Sequence, residues 1–224
     1  MKTILTGILF LLLFSTVSGQ QTSSRILTQK AADAILTASV KSQFNISYPV
    51  RRVYECTDQS GKFLVIVTET IDSVTAEKDT LHYKIKAINL GYTPAGLVKN
   101  WEISDFRIVN TEVSESSVWF WTKFFKLQDL DHDGLIDPIL VYGSAEDNDA
   151  ERTKYIIFYK GKKIAVRHQN SSMDEGRNIQ VDKAFYGLPV QIQQSVKTIM
   201  KQIEDKNFTI FPTDWRLKMD KKVL

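Results

Sequence analysis

Leu81-His82-Tyr83-Lys84-Ile85-Lys86-Ala87 decides the fold class. Apolar Leu81, Tyr83, Ile85 and Ala87 alternate with His82, Lys84 and Lys86, and a period of two separates an apolar from a polar face only on an extended chain. A strand with one face in a core and the other in water belongs to an antiparallel sheet, because parallel sheets are covered on both faces. The neighbouring stretches agree. Val50 to Thr57 and Phe63 to Ile71 are rich in β-branched and aromatic residues around the turn-forming Asp58-Gln59-Ser60-Gly61, which predicts a hairpin. Trp101 to Val109 predicts a further strand after the turn Tyr92-Thr93-Pro94-Ala95-Gly96, and Tyr155 to Lys160 with Lys162 to Val166, joined at Gly161, predicts a second hairpin.

Helices are expected at both ends of this sheet. Ala31, Ala32, Ile35, Leu36, Val40 and Phe44 recur at three- and four-residue steps behind Thr28, an N-cap type, so Thr28 to Phe44 reads as a helix. Leu188-Pro189 opens a second helix, with Ile192, Val196, Ile199, Met200 and Ile203 on one face, ending near Asn207. Gln169 to Tyr186 has few periodic apolar positions and reads as a long surface loop, and Trp215 anchors the tail. The expected fold is α+β: a single antiparallel sheet or meander over residues 20–224, with an N-terminal and a C-terminal helix.

The most aromatic run, Val118 to Leu127, carries Trp119, Trp121, Phe125 and Leu127 on one side and Phe120 and Phe124 on the other. Two apolar faces predict a central strand, with Trp119 or Trp121 as a sugar-stacking platform the alternative. Asp129-Leu130-Asp131-His132-Asp133-Gly134-Leu135-Ile136-Asp137 follows, leading into a strand over Ile139 to Tyr142 with Pro138 at its start. Four carboxylates so close repel one another unless a cation sits among them. Asp129, Asp131, Asp133 and Asp137 are the expected ligands, with the Leu135 carbonyl as a further oxygen and Gly134 at the sharp turn. Hard oxygen donors on a flexible loop favour calcium, one ion, over magnesium. His132 lies between ligand positions and points to solvent. The bland alternative is a solvated Asp/Gly turn without metal.

Composition narrows the function. Lys2, an apolar run from Ile4 to Phe14 and the small-residue stretch Ser15 to Gly19 read as a signal peptide at 1–19, too short to span a bilayer. The formal charge of +3 loses one lysine with that leader, and the remaining lysines are interspersed with acids, so nucleic-acid binding has no support. No transmembrane segment is expected in the mature chain, which is read as exported to the periplasm or cell surface. Cys56 is the only cysteine. It reads as a small buried hydrophobe rather than a nucleophile. His82 and His168 read as solvated surface residues, and Ala145 to Glu151 as a polar loop.

The acidic loop is not an EF-hand, since the twelfth position is Leu140 rather than glutamate. With its lead-in Asp137-Pro138-Ile139-Leu140-Val141-Tyr142 it resembles the calcium loops of FG-GAP and VCBS-type repeat proteins, over about fifteen residues and in a single copy where a propeller needs several. The wider arrangement of leader, meander, Phe124-Phe125-Lys126-Leu127-Gln128 before the loop and a terminal helix is similar to small exported bacterial proteins labelled surface polysaccharide biosynthesis proteins. That resemblance implies an envelope role without defined catalytic residues. The sequence shows no nucleophile elbow, His-Glu-x-x-His, phosphate-cradling glycine loop or dinucleotide fingerprint. The expected function is therefore a non-catalytic envelope protein that binds a glycan or a protein, or assists surface polysaccharide assembly. A hydrolase or transferase acting on glycans is the alternative.

Overall fold

The computed structural model describes residues 22–110, 114–146 and 151–224. The expected leader at 1–19 lies outside them, as do Asp147 and Asp149 of the polar loop. In chain order the elements are β1 (Ser23–Ile26), α1 (Gln29–Ile35), α2 (Ala38–Gln43), β2 (Val50–Asp58), β3 (Gly61–Glu69), the short β4 (Ser73–Val74) and β5 (Thr80–Leu81), β6 (Lys84–Thr93) and β7 (Gly96–Phe106). After these come β8 (Glu115–Phe120), β9 (Lys126–Gln128), β10 (Asp137–Glu146), β11 (Arg152–Tyr159), β12 (Lys162–Gln169), β13 (Asn178–Val181), α3 (Val190–Asp205) and α4 (Trp215–Asp220).

The strands are antiparallel throughout, and both expected hairpins form, as β2–β3 and β11–β12. In the first, Asp58 Oδ1 accepts from Ser60 N at 2.8 Å and Gly61 takes φ 117°, which closes the turn. The expected single sheet is two large sheets, beside which β4 and β5 pair as a small two-stranded one. One has the order β1-β2-β3-β6-β7 and the other β13-β12-β11-β10-β8, with β9 also on β10. They pack face to face: Cys56, Val65, Ala87 and Ile103 from the first share one core with Phe120, Leu140, Ile156 and Phe158 from the second. Periodicity could not reveal this, because it says which residues share a face and not which sheet they join.

Helices cover both outer faces. Leu64, Ile66, Ile88 and Leu90 meet Ala32, Leu36, Phe44 and Ile46 on one side. On the other, Val141, Tyr155, Ile157 and Val166 meet the stripe Ile192, Val196, Ile199, Met200 and Ile203 of α3 with Trp215 and Met219 of α4. At ~1.5–3 kcal/mol per buried large apolar side chain, that stripe rather than helix propensity holds α3 in place.

This layering corrects several expectations. Thr28 to Phe44 is two helices, because Thr37 starts a new one by accepting from Val40 N through its hydroxyl at 3.4 Å. Within Leu81 to Ala87 the sheet strand begins only at Lys84, and Lys86 is buried beneath the N-terminal helices, its Nζ donating to Asn45 O at 3.0 Å. Val118 to Leu127 is not one central strand: after Phe120 a short 3-10 turn over Thr122–Phe124 breaks it, and both pieces pair with β10 alone. That turn puts Trp121 and Phe124 into the core under α3, while Phe120 and Leu127 stay between the sheets. Gln169 to Tyr186 is not all loop, since β13 pairs with β12 across Val166↔Val181 to Gln169↔Asn178. Ala145 belongs to β10, and His168 is a core residue only 2% exposed.

Candidate metal centre

Gln128 and Asp137 face each other across β9 and β10, so the acidic stretch is the loop of a hairpin. Its carboxylates organise its own backbone. Asp129 accepts from Asp133 N at 3.1 Å and from Gly134 N at 3.0 Å, Asp133 Oδ1 accepts from Leu135 N at 3.0 Å, and Asp137 Oδ2 accepts from Leu130 N at 2.9 Å. Gly134 sits at φ 88° and His132 at φ 63°, with His132 exposed as expected. The angle at Gly134 calls for glycine, and a Cβ there would also push the exposed Gln59 side chain aside.

The loop is a junction. From the β2–β3 turn, Asp58 Oδ2 accepts from Ile136 N at 2.9 Å and Gln59 N donates to Gly134 O at 3.0 Å. From the β11–β12 turn, the Tyr159 hydroxyl donates to Asp131 Oδ2 at 3.1 Å and Lys160 pairs with Asp133 Oδ2 at 3.1 Å. Both sheets therefore close on this hairpin.

Three of the four expected acidic ligands come together: Asp129, Asp131 and Asp137 each offer a carboxylate oxygen within 4.8 Å of the others and can hold a metal ion. Asp133 is outside this group, drawn towards Lys160. The donor set fits a hard cation. Asp137 is 2% exposed, and burial pushes its carboxyl up to about 6, an effect that the Leu130 N–H opposes and Asp131, Asp133 and Asp129 reinforce. A cation among these oxygens would remove that penalty.

Burial pushes the Cys56 thiol up to about 12, with Asp58 and Glu55 adding to it, which suits a packed hydrophobe. Ser117, His82 and Glu69 lie close together without forming a nucleophile and base: among the described residues the Ser117 hydroxyl bonds the main chain of His82, at 2.9 and 3.3 Å, and not its ring. The His82 ring instead faces Thr70 O and Glu69. Trp121 is buried in the α3 core, and Trp119, half-buried against it, also lines a cavity of about 330 Å³ with His82 and Ser117. Among the described residues no helix is long and apolar enough to cross a membrane. In comparisons with known proteins, no family model, no curated sequence and no solved structure matches the chain, so the site is read from its own geometry.

Proposed function

We propose that this chain is an exported, non-catalytic protein of the cell envelope, fastened by one calcium ion in the loop from Asp129 to Asp137, and that it binds an envelope glycan or protein in support of surface polysaccharide assembly. The observation that carries the reading is the convergence of Asp129, Asp131 and Asp137 at a loop to which hairpin turns of both sheets are bonded. A cation there acts on the fit between the sheets rather than on a substrate. Calcium is favoured because every donor is a hard oxygen and the loop offers carboxylates without an enforced octahedron. Asp133 and the Leu135 carbonyl are the further donors, with Lys160 kept on Asp133 Oδ2. Carboxylates committed to calcium are poor proton carriers, which separates this centre from a hydrolytic acid pair. The lysine and apolar run at the start of the sequence support export.

A thermal melt tests it. Calcium at about a hundred times its Kd adds ~2.7 kcal/mol, worth roughly 5–10 °C for a chain of this size. The rise should vanish with chelator and be absent in Asp131→Ala. A melting temperature indifferent to calcium, chelator and Asp131→Ala alike would remove the calcium clasp.

A further inference from the structure

The end of the sandwich that carries the acidic loop also holds an open cleft of about 250 Å³ between the sheets, smaller than the roughly 300–1,000 Å³ of drug-sized pockets and suited to a single ring. Phe63 and Phe158 give it apolar walls. The Trp101 indole lies flat on the Phe158 ring, with centroids 3.8 Å and planes 11° apart, and also lines the opening.

Its polar side comes from a fault in the strand pairing. Asn89 continues the inward series Ile85 and Ala87 on β6, where a hydrophobic side chain would extend the core, and it is 3% exposed. The register with β7 slips there: Asn89 faces Trp101 and Leu90 faces Lys99, which leaves Asn100 as the extra residue of a bulge. Bulges re-aim side chains. Asn100 Nδ2 donates to Asn89 Oδ1 at 2.6 Å, and its carboxamide lies over Gly91, where a Cβ would come within 3.0 Å of it. That bond leaves the Asn89 amide N–H groups and Asn100 Oδ1 without a partner among the described residues. Both residues line the cleft, so these groups open on it, where a ligand's hydroxyls can take the place of water.

The charges around the cleft are already engaged. Asp58 accepts from Ser60 and Ile136, Asp137 accepts from Leu130 N, and Lys160 pairs with Asp133. Nothing there calls for a phosphate or a carboxylate. What is offered is a flat aromatic surface beside an adjacent donor and acceptor. A pyranose matches both, with a face of C–H groups and neighbouring hydroxyls that each donate and accept.

The geometry points to a subsite for one neutral hexopyranose unit, with Trp101 as the platform and Asn89 and Asn100 reading adjacent hydroxyls. This rests on the proposed reading of the chain as an envelope protein and narrows its partner to a glycan. The test is the full chain with calcium on an array of neutral and uronate-bearing hexopyranose oligosaccharides, followed by titration calorimetry of the bound glycan against Trp101→Ala and Asn100→Ala. Binding of neutral glycans, weakened at least tenfold by each substitution, is expected. Asn100 is on the exposed edge strand, so its variant carries the test even if Trp101→Ala fails to fold. Affinity unchanged within twofold in the folded variants places the glycan elsewhere and overturns the cleft, while the envelope reading stands. Preference for uronates overturns the neutral subsite, and binding to no glycan overturns the saccharide inference altogether. The calcium melt answers for the clasp independently of all three.

Discussion

His168 shows what a buried titratable side chain does when it has no charge to meet. Its ring packs on Phe211 at 4.4 Å, its Nδ1 shares a hydrogen bond with the Thr209 hydroxyl at 3.2 Å, and its Nε2 has no partner among the described residues. Burial pulls its pKa from 6.5 to about 4, with the Ile210 backbone contact opposing the shift and the Arg177 charge adding to it. The folded state thus holds His168 neutral, while below about 6.5 the unfolded chain takes up a proton that the folded chain refuses. Stability from this residue is complete above pH 6.5 and falls as the pH drops towards 4, by ~3 kcal/mol in all at 1.36 kcal/mol per pKa unit. Urea unfolding at pH 7 and pH 4.5 should show wild type losing some 2–3 kcal/mol more than His168→Gln between the two values. Equal losses would show that His168 is not the group responsible. In sequence His168 follows Arg167 at a strand end and looks solvated; Thr209 and Phe211, more than forty positions on, are what bury it. The acidic loop was legible because its carboxylates are close in sequence. What the sequence does not show is that Lys160, from another hairpin, pairs with Asp133, which lies outside the cluster of Asp129, Asp131 and Asp137.

At the scale of elements, the hairpins and α3 follow from short-range patterns: turn residues between β-branched runs, and one apolar stripe at helical spacing. What the pattern could not carry was assembly. Lys86 looks like a solvent-facing residue until α1 and α2 are laid over it, and the Val118 to Leu127 run looks like one strand because nothing in its composition marks the turn over Thr122–Phe124. Trp101, Asn89 and Asn100 come together only through a register slip between strands. The junction of the β2–β3 turn with the acidic loop is equally invisible in sequence, and Gly134 is where it can be measured. Gly134→Ala should cost ~1–2 kcal/mol from φ 88° alone, plus the displacement of Gln59. In a double-mutant cycle, Gln59→Ala should recover the displacement and leave the backbone cost. Additive losses in urea unfolding would mean that the two turns do not press on each other.

The whole molecule is fastened at two opposite ends, which follows from the strand registers. The acidic loop sits beyond the pairs Asp58↔Gly61 and Asp137↔Gln128, whereas Lys84↔Phe106 and Arg152↔Gln169 mark the other end. There Arg152 bonds Glu115 through Nε at 2.5 Å and Nη2 at 2.9 Å, reaches Asp105 of the facing sheet at 2.9 Å, and donates to Phe106 O. Lys154 and the Tyr142 hydroxyl also bond Asp105, at 2.7 and 2.9 Å. Burial alone would raise the Asp105 pKa, but the Lys154 hydrogen bond and the Arg152 charge hold it below the usual carboxylate value. Removing one member of such a buried set strands the others, at ~3–5 kcal/mol, a large part of the roughly 5–15 kcal/mol that holds a domain folded. Arg152→Met should show that loss in urea unfolding, and Arg152→Lys should restore only part of it, since an ammonium cannot span Glu115 and Asp105 as the guanidinium fork does. Because the two fastenings share no residue and lie at opposite ends, their effects should add: Arg152→Met should cost the same with calcium as with chelator, within about 0.5 kcal/mol. A cost that shrinks when calcium is removed would mean that the ion's influence extends the length of the sandwich, so that the sheets slide as a unit instead of being pinned separately at each end.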